Sequence, residues 1–250
     1  MYYPKSSEKK PPILIFVYGG GFVSGDRTRP PPLDLVFAGV GAFFAERGFL
    51  TVIPDYRLLP NMKYPDPVED ISLALDYVLQ HFGDVADTNN VFLHGHSAGG
   101  MIVTSLILHQ PSLLSSKQRA SIKGVIPMGV AFHFRDPGPP AFRKLLEQLY
   151  GDKVDENCPC SQLEGASQEV LSSIPPLFIL RSQKEPQNII GSQDTFMKVL
   201  EEKKVTDVQQ YVAEGHNHIS SHLALSTGEG EEWAVAVVDW MKDKIGGVAH

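Results

Sequence analysis

The sequence predicts an α/β fold, a mostly parallel sheet with helices on both faces. Short apolar, β-branched runs alternate with helical patterns along the chain, the rhythm of repeated strand-helix-strand units. The strand-like runs are continuously apolar, as strands buried on both faces are. A length of 250 residues suits one domain with a sizeable core, so 1–250 is read as a single unit with one functional site.

The first strand is expected at 13–18, an apolar run that ends on Gly19-Gly20-Gly21. Residues 33–47 are apolar nearly all round and stop at Gly48, a helix with a glycine end signal. A second strand over 49–53 leads into a helix over 68–82 that stops at Gly83, so both helices connect consecutive strands. A strand at 91–93 precedes a helix from about Ala98 to Gln110, closed by Pro111. Further strands are expected at 122–127, 177–180 and 208–212, with helices over 193–203 and 231–244. Between 130 and 174 the rhythm breaks into a Pro- and Gly-rich stretch with one helix at 141–150. An insertion of that length after a strand predicts a small lid over the carboxyl edge of the sheet, where open α/β folds place ligands.

Charge narrows the choice of partners. With 22 Lys+Arg against 29 Asp+Glu the chain lacks the basic stripe that phosphate backbones or anionic membranes attract, so no nucleic acid and no membrane is expected. Residues 1–10 contain no apolar stretch of the signal-peptide kind, and 13–18 is far too short to span a bilayer. A cytoplasmic location is the expectation. Cys158 and Cys160 are one residue apart, a spacing at which a mutual disulfide would be strained, and they are read as free thiols.

The strongest chemical signal is Gly95-His96-Ser97-Ala98-Gly99, which follows a strand and opens an apolar helix. That is the context of a nucleophile elbow, where small residues two positions either side of the serine let strand and helix approach closely. Upstream, the strand at 13–18 runs into Gly19-Gly20-Gly21-Phe22, leaving unhindered N–H groups at a strand end. Such donors can hold the oxyanion of acyl transfer, and Gly20, Gly21 and Ala98 are the candidates. A phosphate-binding loop is disfavoured, because no Gly-Lys-Ser/Thr follows and Ser24 stands where a dinucleotide fingerprint needs its third glycine.

A serine hydroxyl needs a base, and behind such an elbow the partners follow in the order acid, then histidine. The last strand is followed by Glu214-Gly215-His216-Asn217-His218-Ile219-Ser220, with His218 the first choice of base and His216 the alternative. The acid should lie beyond the strand at 177–180. Glu185 is favoured there over Asp194, which also reads as a helix N-terminal residue. A His-x-His metal site with His94 and His96 as further ligands lacks carboxylates at a matching spacing, so no metal and no cofactor is expected.

Tyr18-Gly19-Gly20-Gly21-Phe22, Ser24-Gly25-Asp26, Asp55-Tyr56-Arg57-Leu58 and Gly95 to Gly99 together resemble the hormone-sensitive-lipase-like carboxylesterases of the α/β-hydrolase fold, over nearly the whole chain. The resemblance implies an oxyanion hole at Gly20, Gly21 and Ala98, a nucleophile at Ser97, and a structural Asp-Tyr-Arg element beside the site. Three departures stand out. Tyr18 replaces the usual histidine before the glycines, and Glu185 stands at the place of the family's aspartate. The chain also begins where the family's third strand is about to start, so the two leading antiparallel strands and any N-terminal cap are expected to be missing and 130–174 to enclose the substrate. A looser resemblance to kynurenine formamidase and feruloyl esterase-like hydrolases, whose base precedes an apolar residue, favours His218, which precedes Ile219.

These readings imply a serine hydrolase acting on a small-molecule ester, with a preference for short acyl chains because one modest insertion bounds the pocket. An amidase or formamidase would use the same Ser97, His218 and Glu185. A catalytically silent ligand receptor is the reading from a different class, disfavoured because all three triad positions can be filled.

Overall fold

Runs rich in β-branched and aromatic residues form six strands, largely buried except in the last. In the computed structural model the described residues are 1–5, 9–28, 30–135 and 140–246, the side chains of 140 and 141 excepted. The strands are β1 (Pro12–Val17), β2 (Leu50–Val52), β3 (Asp87–His96), β4 (Ile122–Met128), β5 (Leu177–Lys184) and β6 (Val208–Asn217). They lie in the order β2-β1-β3-β4-β5-β6, and every neighbouring pair is parallel. The sheet is the expected one.

Helices cover both faces. α1 (Leu35–Glu46) and α10 (Glu232–Gly246) lie over one face, where Phe16 meets Phe37, and Trp240 meets Phe92 and Phe178. α3 (Ala98–Leu108), buried at every position, covers the other with α2 (Asp66–His81) beside it. Four short helices, α4 (Ser116–Ser121), α6 (Pro159–Glu164), α7 (Gln168–Ser172) and α9 (Ser220–Leu223), were not expected. α4 carries a complete capping box between Ser115 and Gln118, a Ser-x-x-Gln signal that was available in the sequence.

The boundaries differ from expectation at two places that matter for the site. α8 (Gln187–Glu202) starts six residues earlier than expected, because Pro186 sets its N-terminus and Gly191 does not interrupt it. Asp194 is therefore an exposed residue inside the helix and not at its start. β6 runs on to Asn217, through residues expected to form a loop, because a register shift pairs Lys184 with Asn217. Polar residues are tolerated there since β6 is the outermost strand.

At the opposite edge Tyr2 forms an antiparallel bridge to Thr51 of β2. Within 130–174, α5 (Pro140–Tyr150) is amphipathic and buries Leu146, Leu149 and Tyr150, while α6 seats Cys160 and Leu163 against α3 and α8. Residues 136–139, which the expectation of a lid includes, lie outside the described residues. Both cysteines are buried and unpaired. Among the described residues no helix is long and apolar enough to cross a membrane.

Gly124 on β4 lies under α10, and a Cβ there would stand 2.4 Å from Trp240 Cη2 and 3.1 Å from Phe92 Cδ1. Gly124→Ala is expected to destabilise by about 1–3 kcal/mol through overpacking. For a chain of this size the melting temperature should fall by roughly 2–4 °C per kcal/mol. An unchanged melting temperature would show that the indole can move aside.

Candidate active site

Five neighbouring strands end at one place, the carboxyl edge of the sheet, and each delivers a part of the site. Gly19, Gly20 and Gly21 follow β1, Ser97 follows β3, Gly129 follows β4, Glu185 follows β5 and His218 follows β6.

Ser97 occupies the turn between β3 and α3 with φ 53° and ψ −118°, a conformation that costs a non-glycine residue free energy and needs the surroundings to hold it. Its N–H donates to the Met128 carbonyl at 2.9 Å, which ties the turn to β4. The flanking glycines are required by proximity. A Cβ at Gly95 would lie 2.4 Å from the Gly99 carbonyl oxygen, and one at Gly99 only 2.0 Å from the Val17 carbonyl oxygen. The elbow is thus wedged between β1 and β4.

His218 Nε2 accepts the Ser97 hydroxyl at 3.1 Å, and its Nδ1–H donates to Glu185 Oε2 at 2.7 Å. The Glu185 side chain is fully buried, whereas that of His218 is 24% exposed to the cleft. Glu185 Oε1 accepts the Ser182 N–H at 3.3 Å, so one oxygen is held by the backbone while the other orients the imidazole. Gly129, at φ +61°, makes room for the pair, since a Cβ would come within 2.9 Å of Glu185 Oε1 and 3.1 Å of His218 Nδ1.

The two alternatives lie elsewhere. His216 Nε2 donates to the Gly230 carbonyl at 2.8 Å, leaving Nδ1 to accept the Ser220 hydroxyl at 3.1 Å, so both its nitrogens are engaged away from Ser97. Asp194 points from α8 into solvent.

Gly20 and Gly21 line a cleft of about 360 Å³ together with Ser97, His218 and Phe37. Among the described residues no acceptor takes the N–H of Gly20, Gly21 or Ala98, and Ala98 stands at the first position of α3, where no intrahelical acceptor exists. The glycine loop is secured from outside by the Asp55-Tyr56-Arg57 segment. Tyr56 donates its hydroxyl to the Tyr18 carbonyl at 3.0 Å, Tyr18 donates its own to Asp55 Oδ1 at 3.0 Å, and Asp55 also pairs with Arg27. Burial and the Asp55 carboxylate both push the Tyr18 phenol up, so it remains a donor at any working pH. The Leu59 N–H holds the Phe22 carbonyl at 2.8 Å, and Arg57 grips Asp70 of α2.

One contributor was missed. His96 was weighed only as a metal ligand, yet its Nε2–H donates to the carbonyl of His218 at 2.8 Å and so holds the backbone of the base. Its place beside the serine in the elbow was the available signal. His96 packs against His222, which in turn stacks near His94 and Trp233 on the α10 side of the sheet. Burial pushes His94 down to about 4 and His96 to about 3, and His222 well below its ordinary value, so all three are neutral. Among the described residues no group of three or more His, Cys, Asp or Glu is arranged to hold a metal ion.

The fold is that of an α/β-hydrolase, and at its carboxyl edge Ser97, His218 and Glu185 are joined by hydrogen bonds. The chain belongs to the BD-FAE family, whose profile matches residues 1–199. It is 25% identical over 217 residues to the rice (Oryza sativa subsp. japonica) protein named Probable isoprenylcysteine alpha-carbonyl methylesterase, covering 81% of this chain and 50% of that protein. It is 31% identical over 150 residues to the Arabidopsis thaliana protein named Probable carboxylesterase 7, covering 55% and 45%. The chain thus spans half or less of the length of these relatives. Among solved structures, esterase B from Lactobacillus rhamnosis shares the fold with a TM-score of 0.78 at 18% identity, over 97% of this chain and 79% of that one.

The histidine cluster sets a pH dependence of stability. His94, His96 and His222 have folded-state values below the ~6.5 of an unfolded histidine, so below that pH the unfolded chain binds more protons. Stability is expected in full above about pH 6.5 and to fall as the pH drops toward 4, by as much as about 1.4 kcal/mol per pH unit for each histidine. Urea unfolding at pH 8, 6.5 and 5 measures it, and equal midpoints at the three values would contradict it.

Proposed function

We propose that the protein is a carboxylesterase-type serine hydrolase that cleaves carboxylic esters of small, short-acyl substrates through an acyl-enzyme. The observation that carries this reading is the unbroken hydrogen-bond chain from Ser97 Oγ through both nitrogens of His218 to the buried Glu185. Ser97 attacks the ester carbonyl while His218 Nε2 takes its proton. Glu185 keeps the imidazole proton on Nδ1 and stabilises the imidazolium. The oxyanion is held by Gly20, Gly21 and Ala98 N–H groups. His218 then protonates the leaving alcohol, and water attacks the acyl-Ser97 ester by the same route. No cofactor enters any step. Among acyl substrates, esters are favoured over amides because the relatives are named as a methylesterase and a carboxylesterase. The two unpaired thiols support a reducing, cytoplasmic setting.

Turnover of a small activated ester should vanish in Ser97→Ala and equally in His218→Ala, with the double variant no worse, because the pair acts as a unit. A dead His216→Ala beside an active His218→Ala would move the base by two residues. A chelator should leave the wild-type rate unchanged.

Glu185→Gln is expected to keep the fold, read by circular dichroism, and to lower kcat by up to about 10,000-fold. Asp194→Asn should turn over at the wild-type rate. The reverse pattern would reassign the acid.

A further inference from the structure

We propose that the largely apolar groove between α1 and the C-terminal end of α9 is a subsite for the leaving alcohol, so that the preferred esters combine a short acyl group with an apolar alcohol. The inference rests on Ser97 and His218 acting as a hydrolase.

The leaving oxygen must take its proton from His218 Nε2, which places the alcohol on the His218 side of Ser97. The cleft on that side is walled by Val36, Phe37 and Ile219. Ile219, next to the base, is 56% exposed. Beyond it a groove of about 470 Å³ opens, lined by Leu33, Leu35, Val36, Leu223 and Leu225. Val36 lines both, so the groove adjoins the cleft. Leu35 is 72% and Leu223 42% exposed, and the largely apolar lining, which includes Ser226 and Thr227 at one edge, holds no charged residue. Isolated exposed leucines need no explanation, but an apolar groove beside the point of proton delivery does. An alkyl or aryl alcohol bound there removes apolar surface from water, each buried methylene giving up to about four-fold in kcat/KM. A charged alcohol would find no ion-pair partner among the lining residues.

Alkyl acetates from ethyl to octyl test this, followed by acid release in a pH-stat. The acetyl-enzyme is common to the series, so kcat/KM isolates the alcohol. Octyl acetate should exceed ethyl acetate at least ten-fold in kcat/KM, and the Leu35→Asp/Leu223→Asp variant, if its melting temperature is retained, should cut that ratio at least five-fold. Should that variant unfold, the single exposed substitution Leu35→Asp should still lower the ratio by at least two-fold. Ethyl and octyl acetates cleaved at equal kcat/KM would overturn the subsite and leave the hydrolase reading standing. No turnover of any ester would take both down. A dimer in sedimentation velocity that Leu35→Asp dissociates would assign the groove to a second copy of the chain instead.

Discussion

The close approach of three pieces of backbone around Ser97 is the constraint on which the structure depends. Gly95 and Gly99 bring the start of α3 into contact with the end of β3 and with the Val17 carbonyl of β1, at separations that leave no space for a methyl group. That wedge forces the serine to positive φ, and the hydrogen bond from its N–H to Met128 keeps it there. α3 is apolar at nearly every position because it is buried all round, and its burial supplies the stabilisation that offsets the strained turn. The Ser97 hydroxyl is thereby presented by the scaffold, on the turn between β3 and α3.

Polar groups at the site are placed by the same economy of space. A glutamate serves beyond β5 because the strand continues to Lys184 and Gly129 leaves a slot beside it, so the carboxylate lies buried with one oxygen on the Ser182 N–H and the other on His218. A buried carboxylate needs such partners. His96 fixes the carbonyl of His218 while Glu185 fixes its ring, so the residue beside Ser97 in the elbow also holds His218. On the other flank, Tyr18, Asp55 and Tyr56 form a polar strut under the glycine loop, which explains why an Asp-Tyr-Arg segment that touches no reacting atom accompanies the elbow.

Much of this was legible in the sequence. Continuous apolar runs marked the strands, and the spacing of Gly95, Ser97 and Gly99 marked the elbow, because both follow from local sterics. The order of the partners placed Glu185 and His218 where the structure brings them together. What escaped depended on pairing between strands distant in sequence. β6 extends through polar residues only because a register shift with β5 provides partners, so His216 reads as loop in isolation. The first six residues of α8 escaped because Gly191 interrupts the helical pattern, although burial of Ile189, Ser192 and Gln193 carries the helix through. The role of His96 rests on a contact across 122 residues, which no periodicity reports.

The outermost position of β6 makes the site only as durable as the sheet's most exposed strand. Several of its residues face solvent, and its hydrogen bonds reach one neighbour only. Fraying of such an edge requires less free energy than global unfolding. Each fraying event detaches the imidazole from a serine and a carboxylate that remain anchored on interior strands. The hydrogen bonds that join Ser97, His218 and Glu185 are therefore tied to the edge of the sheet, while β1, β3 and β4 carry its buried centre.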